Sequence, residues 1–302
     1  MDNLYKLFNL HWNSKNLNFP ELKELKIKKK IQDPIIIKER FSDLDNSIKD
    51  LKFSNPFLKI GKNYLNIKIP DICTFQITNG KLIEWKKFDN NINSQDIRTF
   101  CLGSPIGALL IQRGYLLIHA NALEKDGKAI LCIGRSGVGK STIAYQLLKQ
   151  GWNLISDDIV ALTSEGKVYP GIPRIKLWKD ALNHFEINSS KLIPIRDKLN
   201  KYIIPIESPR IIKKTVPLKA IYFIVRDRYD KSKKVISPIE SEKEAFLKLR
   251  NNTYRPLFVR ALDKEGGNFL KLKNLLTKVF IANLHLPDEI PKMIEILKSN
   301  AL

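Results

Sequence analysis

The eight residues Gly134-Arg135-Ser136-Gly137-Val138-Gly139-Lys140-Ser141 constrain this chain more than any other stretch. They satisfy the pattern G-x-x-x-x-G-K-[ST] and stand between a short apolar run, Lys128–Ile133, and a helical one, Ser141–Gln150. A strand that feeds such a loop into a helix aims unpaired N–H groups and the positive end of the helix dipole at one point. Glycines let those N–H groups converge on phosphate oxygens with no Cβ in the way. Lys140 can reach β- and γ-phosphates as a mobile point charge, and the Ser141 hydroxyl is the expected Mg²⁺ ligand. The expected nucleotide-binding residues are Gly134, Arg135, Ser136, Gly137, Val138, Gly139, Lys140, Ser141 and Thr142, with ATP and Mg²⁺ as the bound species. Ile143, Leu147 and Leu148 share one face of the following helix, and Gly151 supplies its stop.

Asp157 and Asp158 follow Leu154-Ile155-Ser156. A carboxylate at a strand end beside a phosphate loop commonly serves the magnesium ion. Neighbouring side chains on an extended segment point to opposite faces, so one aspartate is expected to face the metal and the other an acceptor hydroxyl. The alternative is a pair that only shapes a turn or caps a helix. His119 ends Leu116-Leu117-Ile118, and a lone histidine at a strand end is more often structural than catalytic.

The rest of the composition mainly excludes. An apolar fraction of 43% over 302 residues supplies a real core, enough for one large or two modest domains. Three cysteines, Cys73, Cys101 and Cys132, form no close pair, which suits buried thiols rather than a disulfide framework or zinc cluster. The start, Met1-Asp2-Asn3, has no basic region leading into an apolar run, so no signal peptide is expected. Pro105–Ile118, broken by Gln112 and Arg113, is too short to span a bilayer. The expectation is a soluble, cytoplasmic protein with no membrane partner. The net charge of +21 is spread out, and its densest cluster, Lys26 with Lys28–Lys30, has no interleaved aromatics. A nucleic-acid partner is therefore not expected.

Two regions are expected: a β-rich N-terminal region, 1–97, and an α/β region, 98–302, with the polar stretch Asn90–Ser94 at their junction. In the first, Phe57–Ile69 alternates, and Thr74–Thr78, Asn79-Gly80 and Lys81–Trp85 read as a hairpin, since Asn-Gly accepts positive φ. In the second, Ile159–Leu162 and Val168–Tyr169 suggest a hairpin, and Ala220–Val225 a strand. Ser241-Glu242-Lys243-Glu244 forms a capping box that opens a helix through Arg250. Two further helices are predicted near Asn268–Asn283 and Pro291–Ser299.

The stretch Leu102–Leu162 resembles the HPr kinase/phosphorylase-like kinases, especially the shorter relatives associated with lasso-peptide gene clusters. The similarity is carried by Leu102-Gly103-Ser104-Pro105-Ile106-Gly107, Ile118-His119-Ala120, the phosphate loop, Gln150-Gly151 and Ser156-Asp157-Asp158. Looser likeness extends to Phe19-Pro20-Glu21-Leu22, Phe75–Ile83, Tyr169–Trp178, Pro217–Tyr222 and Asn252-Thr253-Tyr254-Arg255. The resemblance implies a P-loop kinase core related to phosphoenolpyruvate carboxykinase, with a mixed sheet, and it suggests self-association. It makes Asp158 the base that accepts a seryl proton and puts His119 near the transferred phosphoryl group. Lys140 becomes the loop lysine and Ser141 the metal-binding serine, and since neighbouring strand side chains diverge, Asp157 is expected to approach the metal. Arg174 and Arg255 are weaker candidates for phosphate or acceptor contacts. The Glu-x-Arg-Gly segment and later Gly-Arg-Asn signature of the full-length enzymes are absent, so HPr as acceptor and a reverse phosphorylase reaction are not implied. Asp180 lies near the place of the missing glutamate but is not taken as its replacement. The expected activity is transfer of the γ-phosphoryl group of ATP to a serine on a peptide or small protein. The rivals are a kinase of free serine or another hydroxylated metabolite, a regulatory ATP-binding module with little catalysis, and a nucleic-acid-dependent ATPase.

Overall fold

The computed structural model describes residues 2–26, 31–42, 50–196, 199–206, 210–226, 234–299 and 302, and the cluster Lys28–Lys30 lies outside them. The chain forms two units, Met1–Leu117 with Tyr254–Leu270, and Ile118–Thr253 with Lys271–Leu302.

In the first unit, β1 (Asp2–Leu7) and β2 (Leu10–Lys15) make a hairpin, and β3 (Ile35–Glu39) follows. β4 (Leu51–Asn55), β5 (Leu58–Gly61), β6 (Tyr64–Ile69), β7 (Cys73–Thr78) and β8 (Leu82–Lys87) form an antiparallel meander. Parallel pairing of β3 with both β2 and β8 joins them into one eight-stranded sheet. The register explains its two faces. Ile60, Leu65, Ile77, Ile83 and Ile37 are successive cross-strand partners and all are buried. One residue away, Lys59, Asn66, Gln76, Glu84 and Lys38 form a parallel polar row on the other face. The β7–β8 turn is the one expected: Asn79 and Gly80 have φ of 54° and 62°.

Two helices complete this unit's core. α1 (Ser94–Cys101) is capped by Asn93, whose side chain accepts from Gln95 N. α2 (Ser104–Gln112) is buried from Pro105 to Gln112. Gln112 donates to Ile77 O and accepts from Gly80 N at 2.7 Å, pinning the hairpin tip. The division between units therefore falls after Leu117, not at 97/98. Asn90–Ser94 is the approach to α1 rather than a linker, and α2 belongs with the first sheet because its apolar sides bury against it.

The strand β9 (Leu116–Ile118) crosses this division, and β10 (Ala120–Lys125) and β11 (Lys128–Ile133) form a hairpin. α3 (Lys140–Lys149) leads to β12 (Asn153–Asp157), antiparallel to β10. β13 (Val160–Leu162) and β14 (Lys167–Val168) make the expected hairpin. β15 (Arg174–Trp178), α4 (Lys179–His184), β16 (Ile193–Pro194) and β17 (Lys201–Pro205) come next, with the three strands in a small separate sheet. The long β18 (Val216–Arg226) lies parallel to β11, and β19 (Ile236–Pro238) follows it. α5 (Glu242–Asn251) opens on Ser241, whose hydroxyl accepts from Glu244 N as the capping box requires. α6 (Pro256–Ala261) lies in the first unit, and α7 (Glu265–Leu276) crosses the second division. β20 (Phe280–Leu286) pairs parallel to β18, and α8 (Ile290–Ser299) ends the unit.

This second sheet is mixed, as expected. β11 and the centre of β18 are buried continuously, the pattern of strands covered on both faces. α3 packs Ile143, Ala144, Leu147 and Leu148 into the same core as Met293 and Leu297 of α8, and Gly151 closes it at φ 89°. The helix expected to reach Asn283 stops at Leu276, because Phe280–Asn283 is claimed by the β18–β20 ladder. Among the described residues no helix is long and apolar enough to cross a membrane. The three cysteines are free and buried, and burial pushes the Cys73 and Cys132 thiols up to about 12.

Candidate active site

The apolar β11 delivers the chain into the glycine loop, and α3 leaves it. Gly137 and Gly139 have φ of 85° and 92°, which an L side chain resists. A Cβ on Gly134 would meet Val138 Cγ1 at 2.7 Å, and one on Gly139 would collide with the Arg226 guanidinium. The loop is thus closed behind and open in front. Ser136, Gly137, Gly139, Lys140, Ser141 and Thr142 line one cavity. Gly134, Arg135 and Val138 do not. The Gly134 and Arg135 carbonyls accept from Lys140 Nζ at 2.7 and 3.2 Å, and Val138 O accepts from Arg226 Nε at 2.8 Å. Burial lowers the Lys140 pKa, and the charges of Asp158 and Asp157 oppose that shift.

Both aspartates line the same cavity. Asp157 closes β12 opposite Asn121, whose Nδ2 donates to Asp157 Oδ1 at 2.8 Å. Asp157 is 4% exposed, and its Oδ2 has no hydrogen-bond partner. Burial raises its pKa, only partly offset by Lys176. Asp158 differs from the expectation. It does not diverge from Asp157 by strand alternation; its φ of 75° breaks the strand and turns its carboxylate separately into the cavity. There Oδ2 accepts from Lys176 Nζ at 2.9 Å and Oδ1 lies 3.0 Å from His119 Nδ1. Burial favours the neutral acid, but Lys176 and His119 outweigh it and hold the Asp158 carboxyl well below the usual range. His119 Nδ1 also lies 3.1 Å from Asp158 O, and the His119 backbone N donates to Asn252 O at 2.9 Å, which fixes the backbone that carries the ring.

The cavity gathers residues to which the sequence reading assigned no role. Lys176 comes from β15, Lys201 from the paired β17, and Arg226 from the end of β18. Lys201 Nζ lies 5.2 Å above the Trp178 ring, and burial with the neighbouring Lys176 lowers its pKa. Asp180 and Asp288 complete the rim. A basic residue ending an apolar strand parallel to β11 was the available signal for Arg226. For Lys176 the signal was its place in the family-like segment Tyr169–Trp178, and for Lys201 there was none, because its approach depends on the pairing of β17 with β15. Arg174 is buried outside the cavity, and Arg255 is the N-cap residue of α6 in the first unit, 5.6 Å from the Tyr254 ring.

The donor set fits a magnesium-bound polyphosphate. Four cations and a nest of loop N–H groups suit an anion. Asp157 Oδ2 is a buried acceptor without a donor, and Ser141 lines the same cavity. Among the described residues no three or more His, Cys, Asp or Glu side chains form a closed cage. Magnesium requires none, since it takes one or two carboxylates along with water and substrate phosphates.

Residues 113–195 match the family described as the HPr Serine kinase C-terminal domain. The HPr kinase/phosphorylase of Thermoanaerobacter sp. (strain X514) is 33% identical over 84 residues, which is 27% of this chain and 26% of that protein. That of Bacillus pumilus (strain SAFR-032) is 44% identical over 48 residues, 16% of each chain. The chain thus spans at most about a quarter of the length of these relatives. A solved structure of the Hpr(Ser) kinase/phosphatase from Coxiella burnetii superposes with a TM-score of 0.31 at 16% identity, covering 61% of this chain and 94% of that one, too distant to carry any argument. The segment 113–195, which holds the loop, both aspartates and His119, is thus similar to the HPr kinase C-terminal domain family.

Proposed function

We propose that this protein is an ATP-dependent kinase that transfers the γ-phosphoryl group to a serine hydroxyl of a peptide or small protein, on a P-loop core related to phosphoenolpyruvate carboxykinase. The observation that carries the reading is the convergence of Lys140, Asp157, Asp158 and His119 on one cavity at the mouth of the loop. When bound, MgATP supplies the transferable phosphoryl group. The loop N–H groups and Lys140 would bind its anionic oxygens, Lys140 giving up the Gly134 and Arg135 carbonyls for them. Ser141 and the unpartnered Asp157 Oδ2 would hold the magnesium ion. Asp158 receives the acceptor hydroxyl as a hydrogen bond and takes its proton. Its low pKa makes it a positioning base more than a strong one, which suits a loose transition state that asks little of the nucleophile's proton. His119 and Lys176 keep that carboxylate ionised and aimed.

The test is transfer of labelled γ-phosphate to serine-containing peptides, set against free serine and other hydroxylated metabolites. Label on peptide serine supports the proposal. Label on metabolites alone replaces the acceptor class. Tight ATP binding with no transfer to any acceptor makes the protein a regulatory nucleotide-binding module.

A further inference from the structure

The first unit carries a second concavity, of about 500 Å³, on the polar face of its eight-stranded sheet. Lys59, Lys68, Lys86 and Lys87 line it, and none of its lining residues is acidic. Phe57 and Phe88 line it as well, 53% and 48% exposed. Lys68 Nζ lies 5.5 Å above the Phe88 ring, which holds one ammonium over the hollow.

The neighbouring edge of the sheet adds a second feature. Among the described residues β4 pairs with β5 alone and is exposed at four of its five positions. It therefore presents unpaired backbone N–H and C=O groups to an incoming chain. Ser54 of β4 is the cross-strand partner of Lys59, so it shares the polar face. A strand added at β4 would turn every second side chain to the face that carries Lys59, Lys68 and Lys86.

We propose that this concavity and the β4 edge together bind an extended acidic segment of a polypeptide, with alternate Asp or Glu side chains on the face that carries the lysines. The charge of the hollow sets the sign of the occupant, and the open edge selects a polypeptide. Single-stranded nucleic acid fits less well: it has no use for a strand edge. It needs aromatic faces in succession, whereas here two rings line the hollow and a lysine lies over one of them. The proposal deepens the kinase reading and rests on it only in identifying the occupant as part of the substrate; binding itself does not depend on catalysis.

Fluorescence anisotropy with a labelled twelve-residue peptide of alternating Glu and apolar residues tests it on the whole chain. The Gln-for-Glu peptide and a twelve-nucleotide oligo(dT) serve as competing probes. Lys59→Glu with Lys68→Glu is compared with Lys128→Glu with Lys167→Glu, two exposed lysines of the second unit, so that both variants lose the same net charge. The expected result is at least tenfold weaker binding of the Glu peptide to the first variant, little change in the second, and at least tenfold weaker binding of the Gln peptide to wild type. Equal binding of the two peptides to the wild-type chain, which needs no variant to fold, overturns the proposal. So does equal loss in both variants, or tighter oligo(dT) binding lost in the first variant alone. If peptide binding behaves as expected while no phosphate transfer is detected, the kinase reading fails and the docking surface stands.

Discussion

The two large sheets bury polar groups in opposite ways. In the eight-stranded sheet, Asn66, Gln76 and Glu84 are nearly buried in the middle of one face, and Glu84 is met there by Lys38 and Arg40 at 3.2 and 3.4 Å. In the mixed sheet the strand centres are apolar, and Asn121, Ser156 and Asp157 gather at strand ends beside the loop. A polar row along a face follows from alternation, and Glu84 is compensated there by its two cations, although Gln76 Oε1 has no partner. Polar groups packed into the ends of doubly covered strands are expensive unless something compensates them. Their concentration beside a glycine loop therefore marks a site, while the row in the first sheet marks a surface.

The sharpest test of that contrast is Asp158→Asn. It keeps size and one acceptor but removes the proton acceptor, so transfer should fall by about 10²- to 10⁴-fold with MgATP binding retained. In the wild type, Asp158 has a depressed pKa, so its stabilising contribution is present above its unfolded value of about 3.9 and is lost as pH falls through the lower folded value. The variant should lack that loss in an acid melt. A variant with near wild-type turnover, paired with an inactive Asp157→Asn that still binds MgATP, would reverse the two roles.

Lys140→Ala should come next, lowering transfer by about 10²- to 10³-fold and weakening ATP binding in isothermal titration. Its hydrogen bonds go to loop carbonyls and its attraction to Asp158 and Asp157 acts at longer range, so the melting temperature without nucleotide should move little. Unchanged turnover would remove the phosphate-loop assignment.

Asp157→Asn should separate stability from function. Burial raises the Asp157 pKa, so whatever stability this carboxyl lends is present below about pH 3.9 and is lost as pH rises through its folded value. Above that folded value the buried charge is a burden. The amide keeps the bond from Asn121, so the variant should melt higher than wild type without nucleotide, while its magnesium dependence weakens. A lower melting temperature would mean that the orphaned oxygen has a structural partner.

The smallest effect is expected in the first sheet. Gly80→Ala puts a β-carbon at φ 62° and 2.8 Å from Arg113 Cγ, and should destabilise by about 1–2 kcal/mol in chemical denaturation. Transfer should be unaffected, because this left-handed glycine shapes a hairpin whereas Gly137 and Gly139 shape the loop.

Much of both regions could be read directly. The Asn79-Gly80 hairpin, the capping box at Ser241 and the strand–loop–helix of 128–150 are local arrangements. Turn sterics, a cap hydrogen bond and side-chain period act within a few residues, so sequence by itself determined them. Contacts between distant residues decided the rest. Phe280–Asn283 has an apolar content that suits helix or strand, and only the open edge of β18 made it a strand. Asp158 was expected on an extended segment, yet its left-handed φ is stabilised by Lys176 and His119, from strands far apart in the chain. Lys201 reaches the site through the pairing of β17 with β15, and Arg226 through the parallel alignment of β18 with β11. The sequence determined the glycine loop at Gly134–Ser141 and its place between a strand and a helix, because backbone sterics act there within a few residues. Which charges would face it was decided by tertiary structure alone, because charge acts through space and the chain brings those side chains together only by folding.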